Sequence, residues 1–207
     1  MKRKFDLHRL LYGAGFLLAV TFSVAAGVVF LFASKAYARD SLDVASYCSF
    51  VIPPDFVPAK EKGLFINKDN PMESSSIKYD FYDNGLDVIH TNREKAALKE
   101  AGTETVVTDE STSLTKEIYQ ETMEAAYNSK YGQNVGFNVS SFDKITIDGY
   151  PGYRIVASYQ AADEEKVHQT VYMLLSRYRT FTISMQRAED DDCEGLFEEC
   201  ASSIHVH

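Results

Sequence analysis

The main body of this chain is predicted to be an α+β fold, in which a central antiparallel sheet is flanked by helices. Residues 144–187 contain three or four adjacent segments that alternate apolar and polar side chains, as neighbouring antiparallel strands do. A long amphipathic segment, residues 114–132, precedes them, and a shorter helix-forming segment, residues 193–203, follows. A sheet this broad needs helical cover, so we expect both helices to pack on it.

The amino terminus carries a long apolar segment. No residue between Arg9 and Lys35 is charged, and at about 1.5 Å per residue a helix of this length can cross a hydrocarbon core of roughly 30 Å. Four basic residues precede it: Lys2, Arg3, Lys4 and Arg9. The positive-inside rule therefore places this end in the cytoplasm and the rest of the chain outside.

Two fates fit the apolar segment. Ala36-Tyr37-Ala38 has the small-x-small form that signal peptidase cleaves, which gives a secreted product starting near Arg39. The apolar run also exceeds the usual signal-peptide core of about 7–15 residues, which favours an uncleaved single-pass anchor. The predicted organisation is a basic stub with an anchor or signal peptide, a short tether and one extracytoplasmic domain. These parts are residues 1–38, 39–46 and 47–207.

The exported part is more acidic than the whole chain. The net charge of the 207 residues is −9, and residues 1–38 hold five basic residues against Asp6, a net charge of +4. Subtraction leaves −13 for residues 39–207. Such a surface repels nucleic acid and anionic headgroups, so no nucleic-acid partner is expected.

Short elements are predicted before the main sheet. Residues 47–52 form a first strand, which Pro53-Pro54 ends because proline cannot donate to the ladder. Residues 63–67 form a second strand, and residues 77–82 a third with period-two alternation. Residues 92–101 are good helix formers and are predicted to be a surface helix.

The main helix and the hairpins have recognisable ends. Ser113 is the expected N-cap of the helix, and Gly132 its end. Asp148-Gly149 favours a tight turn, but Pro151-Gly152 follows closely, so we expect a bulge or a wide hairpin there. On the next strand one face is predicted to hold Tyr153, Ile155, Ala157 and Tyr159.

All three cysteines lie in the exported part, where a disulfide can persist. On one helix Cys193 and Cys200 would be two turns apart, about 10 Å, which is beyond disulfide reach. A disulfide of Cys48 with Cys193 or Cys200 is therefore one prediction. Three free, partly buried thiols are the other.

Five segments together resemble the PsbP/Mog1-like superfamily: SFVIPPDF, LTKEIYQETMEAAYNSKYG, IDGYPGYRIVASY, YMLLSRYRTFTISM and the final helix running into SSIHV. The resemblance implies an α/β/α sandwich with a central antiparallel sheet. Members of the superfamily are chiefly accessory or binding proteins, among them a photosystem-associated subunit, a small-GTPase-binding factor and bacterial exported proteins of unknown role. No functional motif matches, so the resemblance assigns no site residue here.

No metal, cofactor or catalytic site is predicted. The acidic run at residues 189–194 lacks the glycine and the ligand spacing of a calcium loop, and acids before a helix suit its dipole. His205 and His207 would need a third ligand to bind zinc. His168 alternates with Thr170 on a strand, and no nucleophile motif or phosphate-binding glycine loop accompanies it.

Tyrosine is abundant on the predicted strands and supplies large contact area with a polar tip. The residues predicted to face a ligand are Tyr153, Tyr159, His168 and Tyr172. The alternative is that the aromatic side chains only form core and cross-strand packing.

A membrane-anchored or secreted binding domain follows from these observations. Its expected partner is a protein or a cell-envelope component, with the membrane contacted through the amino-terminal helix. An extracytoplasmic hydrolytic or metal-dependent enzyme and a structural subunit of a membrane complex are the alternatives. The sequence leaves the oligomeric state open.

Overall fold

The computed structural model describes residues 41–69, 75–83, 110–162 and 164–207. The predicted amino-terminal helix and the predicted helix at residues 92–101 lie outside these ranges. Within them, no helix is both long and apolar enough to span a bilayer.

A seven-stranded sheet forms the centre of the fold, and every pairing in it is antiparallel. Its strand order is β2-β3-β4-β8-β7-β6-β5. The strands are β2 Phe56–Pro58, β3 Leu64–Asn67, β4 Ser76–Asp83, β5 Asn138–Ile147, β6 Tyr150–Tyr159, β7 Val167–Leu175 and β8 Arg179–Ala188. The predicted central antiparallel sheet is therefore confirmed.

The strands β5 to β8 form a meander in which neighbours along the chain pair with one another. The turn between β5 and β6 has only two residues, Asp148 (φ 50°) and Gly149 (φ 86°), and Ile147 pairs directly with Tyr150. The predicted wide hairpin at this turn is wrong, because both turn residues adopt the positive φ that a two-residue turn requires. The register irregularity of this pair lies instead between Val139 and Ser141.

Helix α1, Lys116–Tyr131, covers one face of the sheet. Its N-cap is Thr115, whose Oγ1 accepts the Ile118 N–H at 3.3 Å, whereas the predicted cap Ser113 belongs to a preceding 3-10 turn. Gly132 ends the helix in the left-handed conformation at φ 68°, as predicted. Tyr119 and Met123 are buried against the sheet, with Ile155 and Val171 beneath them in the same apolar cluster.

Helix α2, Glu194–Ser202, packs on the opposite face. It contributes Cys200, Leu196 and Phe197 to a second apolar cluster with the inward-facing residues of β4 and β8. Those strand residues are Ile77, Phe181, Ile183 and Met185. The two clusters are separated by the sheet, so the fold is a layered α+β arrangement.

Two short strands, β1 Cys48–Ser49 and β9 His205–Val206, form a second, two-stranded sheet. The predicted first strand of residues 47–52 is thus shorter than expected and does not join the main sheet. Residues 43–45, which precede β1, also pack against the rest of the domain. Ala45 is buried, and the carbonyl of Asp43 accepts the Arg177 N–H at 3.0 Å.

Candidate functional site

The four residues predicted to face a ligand lie on opposite faces of the sheet. Tyr153 and Tyr159 point towards α1 and are 0% and 4% exposed. His168 and Tyr172 occupy the other face, because the β6–β7 register pairs Tyr153 with Met173 and Tyr159 with Val167. A single surface built from all four side chains is therefore excluded.

The contacts of Tyr153 and Tyr159 are with other residues in the interior of the fold. The Tyr153 hydroxyl donates to the carbonyl of Thr112 at 3.2 Å, which ties the sheet to the segment entering α1. The Tyr159 ring lies 4.4 Å from the Tyr127 ring and 6.0 Å from the Tyr131 ring, and its burial raises the pKa of its hydroxyl. For these two residues the alternative of core packing is the one that the structure shows.

We use the name open face for the side of β6 and β7 that is turned away from α1. Its residues are Arg154, Val156, Ser158, His168, Thr170 and Tyr172. All six are partly exposed. Of its two apolar or aromatic residues, Tyr172 packs against the cluster beneath α2, whereas Val156 belongs to neither apolar cluster. Within the described ranges, the open face is the part of the sheet centre left uncovered on this side.

Arg154 is held at the middle of the open face. Its Nε–H donates to the Tyr172 hydroxyl at 3.3 Å, and its guanidinium lies 3.8 Å from a carboxylate oxygen of Asp143 on β5. A guanidinium carries five N–H groups in a planar fork, so these two contacts orient it and leave donors for a partner. Arg154 was not among the residues predicted from sequence to face a ligand; the β6–β7 register places it opposite Tyr172.

His168 lies at one end of the open face and bonds the carboxylate of Glu189 through its Nε2. This hydrogen bond, together with the attraction of the imidazole, holds the pKa of Glu189 below its usual value. Arg187 beside it donates to the carbonyls of Ala188 and Asp191 and lies 3.5 Å from the Glu194 carboxylate. The start of the acidic run is thus engaged in contacts that shape the end of β8.

The terminal histidines lie at the other end of the molecule. His205 Nδ1 is 3.1 Å from Asp148 Oδ2, and His207 Nε2 is 2.9 Å from Ser49 Oγ. Their rings are 6.3 Å apart, and the His207 ring stacks on Tyr47 at 4.6 Å. No group of three or more metal-binding side chains comes together among the residues that the structure describes.

The three cysteines are free thiols in the structure, rather than a disulfide of Cys48 with Cys193 or Cys200. All three are buried in the cluster beneath α2. Burial raises the pKa of each thiol to about 11. Such thiols are poor nucleophiles at neutral pH.

An open depression of about 480 Å³ lies beside the start of β5. Its lining residues are Asn134, Val135, Gly136, Ser158, Tyr159, Gln160 and Lys166. It borders the open face at Ser158. The depression therefore continues the mixed polar surface beyond the Ser158 end of the open face.

In the described part of the chain, a seven-stranded antiparallel sheet with one helix on each face defines a layered α+β protein. The fold is similar to that of cyanobacterial PsbP (CyanoP) from Synechocystis sp. PCC 6803, whose solution structure aligns with a TM-score of 0.51 at 17% identity. That alignment covers 89% of this chain and 98% of the cyanobacterial one. The predicted PsbP-like fold is thereby confirmed.

A crystal structure from Bacteroides thetaiotaomicron VPI-5482 aligns with a TM-score of 0.39 at 12% identity, covering 77% of this chain and 45% of that one. No protein-family profile and no curated protein matches the chain. The likeness to the cyanobacterial structure concerns the fold.

Proposed function

We propose that this protein is a non-enzymatic binding or accessory domain, exported across a membrane and held there or released, which recognises a protein or envelope component through the open face. The observation that carries the proposal is the placement of Arg154, Tyr172 and His168 on one accessible side of two rigid, paired strands. A PsbP-like fold suits an accessory role of this kind.

The chemistry of the open face favours a protein partner. Arginine and tyrosine are enriched in protein interfaces, where they combine large contact area with directed hydrogen bonds. Arg154 is already oriented by Tyr172 and Asp143, so it loses little side-chain entropy on binding. Val156 and Thr170 lie between the charged groups and supply the less polar centre that an interface requires.

Charge supports the same choice of partner. The exported part carries a net charge of −13, which disfavours polyanions such as nucleic acid. Arg154 and His168 are cationic or ionisable groups within that acidic surface. They fit a partner that presents carboxylates or carbonyl oxygens in the matching positions.

Site-specific photo-crosslinking tests the proposal. A photoreactive amino acid replaces Thr170 on the open face of the full-length chain, and in a matched control it replaces Ala125 on an exposed position of α1. In intact cells we expect a specific adduct from position 170, its loss after Arg154→Glu, and no such adduct from position 125.

Three results would contradict this function. Equal crosslinking from positions 170 and 125 would remove the open face as the binding surface. A turnover by the purified protein that is abolished by His168→Ala would assign an enzyme instead. Recovery of the chain only as a fixed subunit of one membrane complex would assign the structural role.

A further inference from the structure

The two ends of the main sheet differ in chemistry. We call the end with the β5–β6 and β7–β8 turns the hairpin pole, and the end where β8 runs into α2 the acidic pole. The hairpin pole holds the turns Asp148-Gly149 and residues 176–178, together with the crossing segment of residues 43–47. Because β8 has ten residues at about 3.3 Å each, the poles are roughly 30 Å apart.

The hairpin pole exposes large apolar and aromatic side chains. Val44 is 55% exposed, Tyr47 54% and Phe81 45%. Tyr150 and Tyr178 lie in or next to the two turns and are half-buried. Three of the six most exposed large hydrophobic residues in the described ranges are thus found at one end of the molecule.

Contacts join these side chains into one surface. The Arg179 guanidinium lies 5.5 Å from the centre of the Phe81 ring and donates to the Ser46 carbonyl at 2.5 Å, next to Tyr47. On the neighbouring turn the Arg177 guanidinium lies 5.5 Å from the ring centre of Tyr178. Aromatic rings beside arginines are the side chains that proteins place at the boundary of a lipid bilayer.

The acidic pole has the opposite character. Seven acidic residues of the described chain lie there: Glu164, Glu165, Glu189, Asp190, Asp191, Asp192 and Glu194. If this end approached anionic headgroups, it would be repelled. At roughly 30 Å it is several screening lengths of about 8 Å away, so the repulsion vanishes when the hairpin pole faces the lipid.

The tether leads to the hairpin pole. The uncharged apolar segment ends at Ser34, and six residues separate it from Ser41, where the described chain begins. Six extended residues span at most roughly 20 Å. An uncleaved anchor would therefore keep Ser41, which leads directly into the crossing segment of the hairpin pole, within about that distance of the bilayer.

We propose that the hairpin pole is a lipid-facing surface, with Tyr47, Phe81 and Tyr178 at the headgroup boundary and the acidic pole directed away. This orientation rests on the anchored form of the proposed function. In this orientation the open face is roughly perpendicular to the membrane surface, where a neighbouring envelope protein can contact it from the side.

Tryptophan fluorescence tests the orientation, because the chain contains no tryptophan. Full-length Tyr178→Trp and, as a control near the acidic pole, Gln133→Trp are reconstituted into phosphatidylcholine vesicles with or without bromine on the acyl chains. For Tyr178→Trp we expect brominated lipid to quench the emission about twofold, as for a side chain in the headgroup and acyl boundary. The Gln133→Trp emission should be unaffected. Adding Tyr47→Ser and Phe81→Ser to Tyr178→Trp should abolish the quenching.

Flotation through alkaline carbonate separates this inference from the anchor itself. Loss of the chain from the vesicles would overturn the anchored form. Stable flotation with equal quenching at the two positions would overturn the lipid-facing pole alone. Shielding of position 178 from aqueous acrylamide that grows with protein concentration, without quenching by brominated lipid, would assign the pole to a second copy of the chain.

Discussion

Asp148 Oδ2 accepts the backbone N–H of Val206 at 3.0 Å and so ties the β5–β6 turn to the last strand of the chain. The same oxygen is 3.1 Å from His205 Nδ1. Asp148 also has a φ of 50°, which aspartate tolerates better than most residues. One side chain therefore shapes a turn and secures β9.

Asp148→Ala should destabilise the protein more than Asp148→Asn does. Alanine removes both hydrogen bonds and is poorly suited to a positive φ, whereas asparagine keeps an acceptor and tolerates this conformation. We expect the alanine variant to lower Tm by roughly 2–4 °C. Equal Tm values for the two variants in calorimetry would show that the contact with Val206 is unimportant.

Acid should weaken the fold through the same carboxylate. Its hydrogen bonds from Val206 and His205 hold the pKa of Asp148 below its usual value in the folded state. A lowered folded pKa means that the stabilisation is complete above the unfolded pKa, near about 4, and is lost as the pH falls through the folded pKa. Urea midpoints measured from about pH 6 to pH 3 should fall less steeply for Asp148→Asn than for the natural protein. If the urea midpoints of the two proteins fell equally with pH, the Asp148 carboxylate would not contribute to the pH dependence of stability.

Gly152 should be irreplaceable, whereas Gly195 should not. A Cβ atom at Gly152 would lie 2.2 Å from the backbone oxygen of Met173 on the paired strand, while nothing lies within 4 Å of one at Gly195. We expect Gly152→Ala to cost about 1–3 kcal/mol in urea unfolding. Gly195→Ala, within α2, should be neutral or stabilising by up to about 1 kcal/mol. A neutral Gly152→Ala would mean that β6 and β7 are more widely spaced.

The three thiols should be nearly unreactive in the folded protein. Burial raises the pKa of Cys48, Cys193 and Cys200 to about 11, so little thiolate is present at pH 8. Ellman's reagent should react slowly with the native protein and with all three thiols in urea without reductant. Reaction of a single thiol in urea would show that two of the three cysteines are joined in a disulfide.

The sheet could be predicted from sequence because its strands alternate apolar and polar side chains, a pattern that is visible within each strand. Tyr153, Ile155, Ala157 and Tyr159 alternate with more polar residues, and the four lie on one face as predicted, where the structure buries them. The short strand β2 is not identified by alternation, since it has only three residues and ends in Pro58. Proline is tolerated there because β2 is an edge strand.

The open face could be predicted only in part, because sequence shows alternation but does not show which side a helix covers. His168 and Tyr172 were correctly placed on one strand face. Tyr153 and Tyr159 were grouped with them on residue type, although the register between β6 and β7 puts them on the other side. The position of α1 depends on packing between distant segments, which no local pattern encodes.

The pairing of β1 with β9 has a consequence for biosynthesis. Cys48 pairs with Val206, near the opposite end of the sequence, whereas β5 to β8 pair with their immediate successors. The meander can assemble as the polypeptide emerges during synthesis, but β1 must wait for its partner until residues 205 and 206 are made. Formation of the β1–β9 pair therefore follows assembly of the meander. A product truncated before residue 205 would retain the meander and lack the β1–β9 pairing.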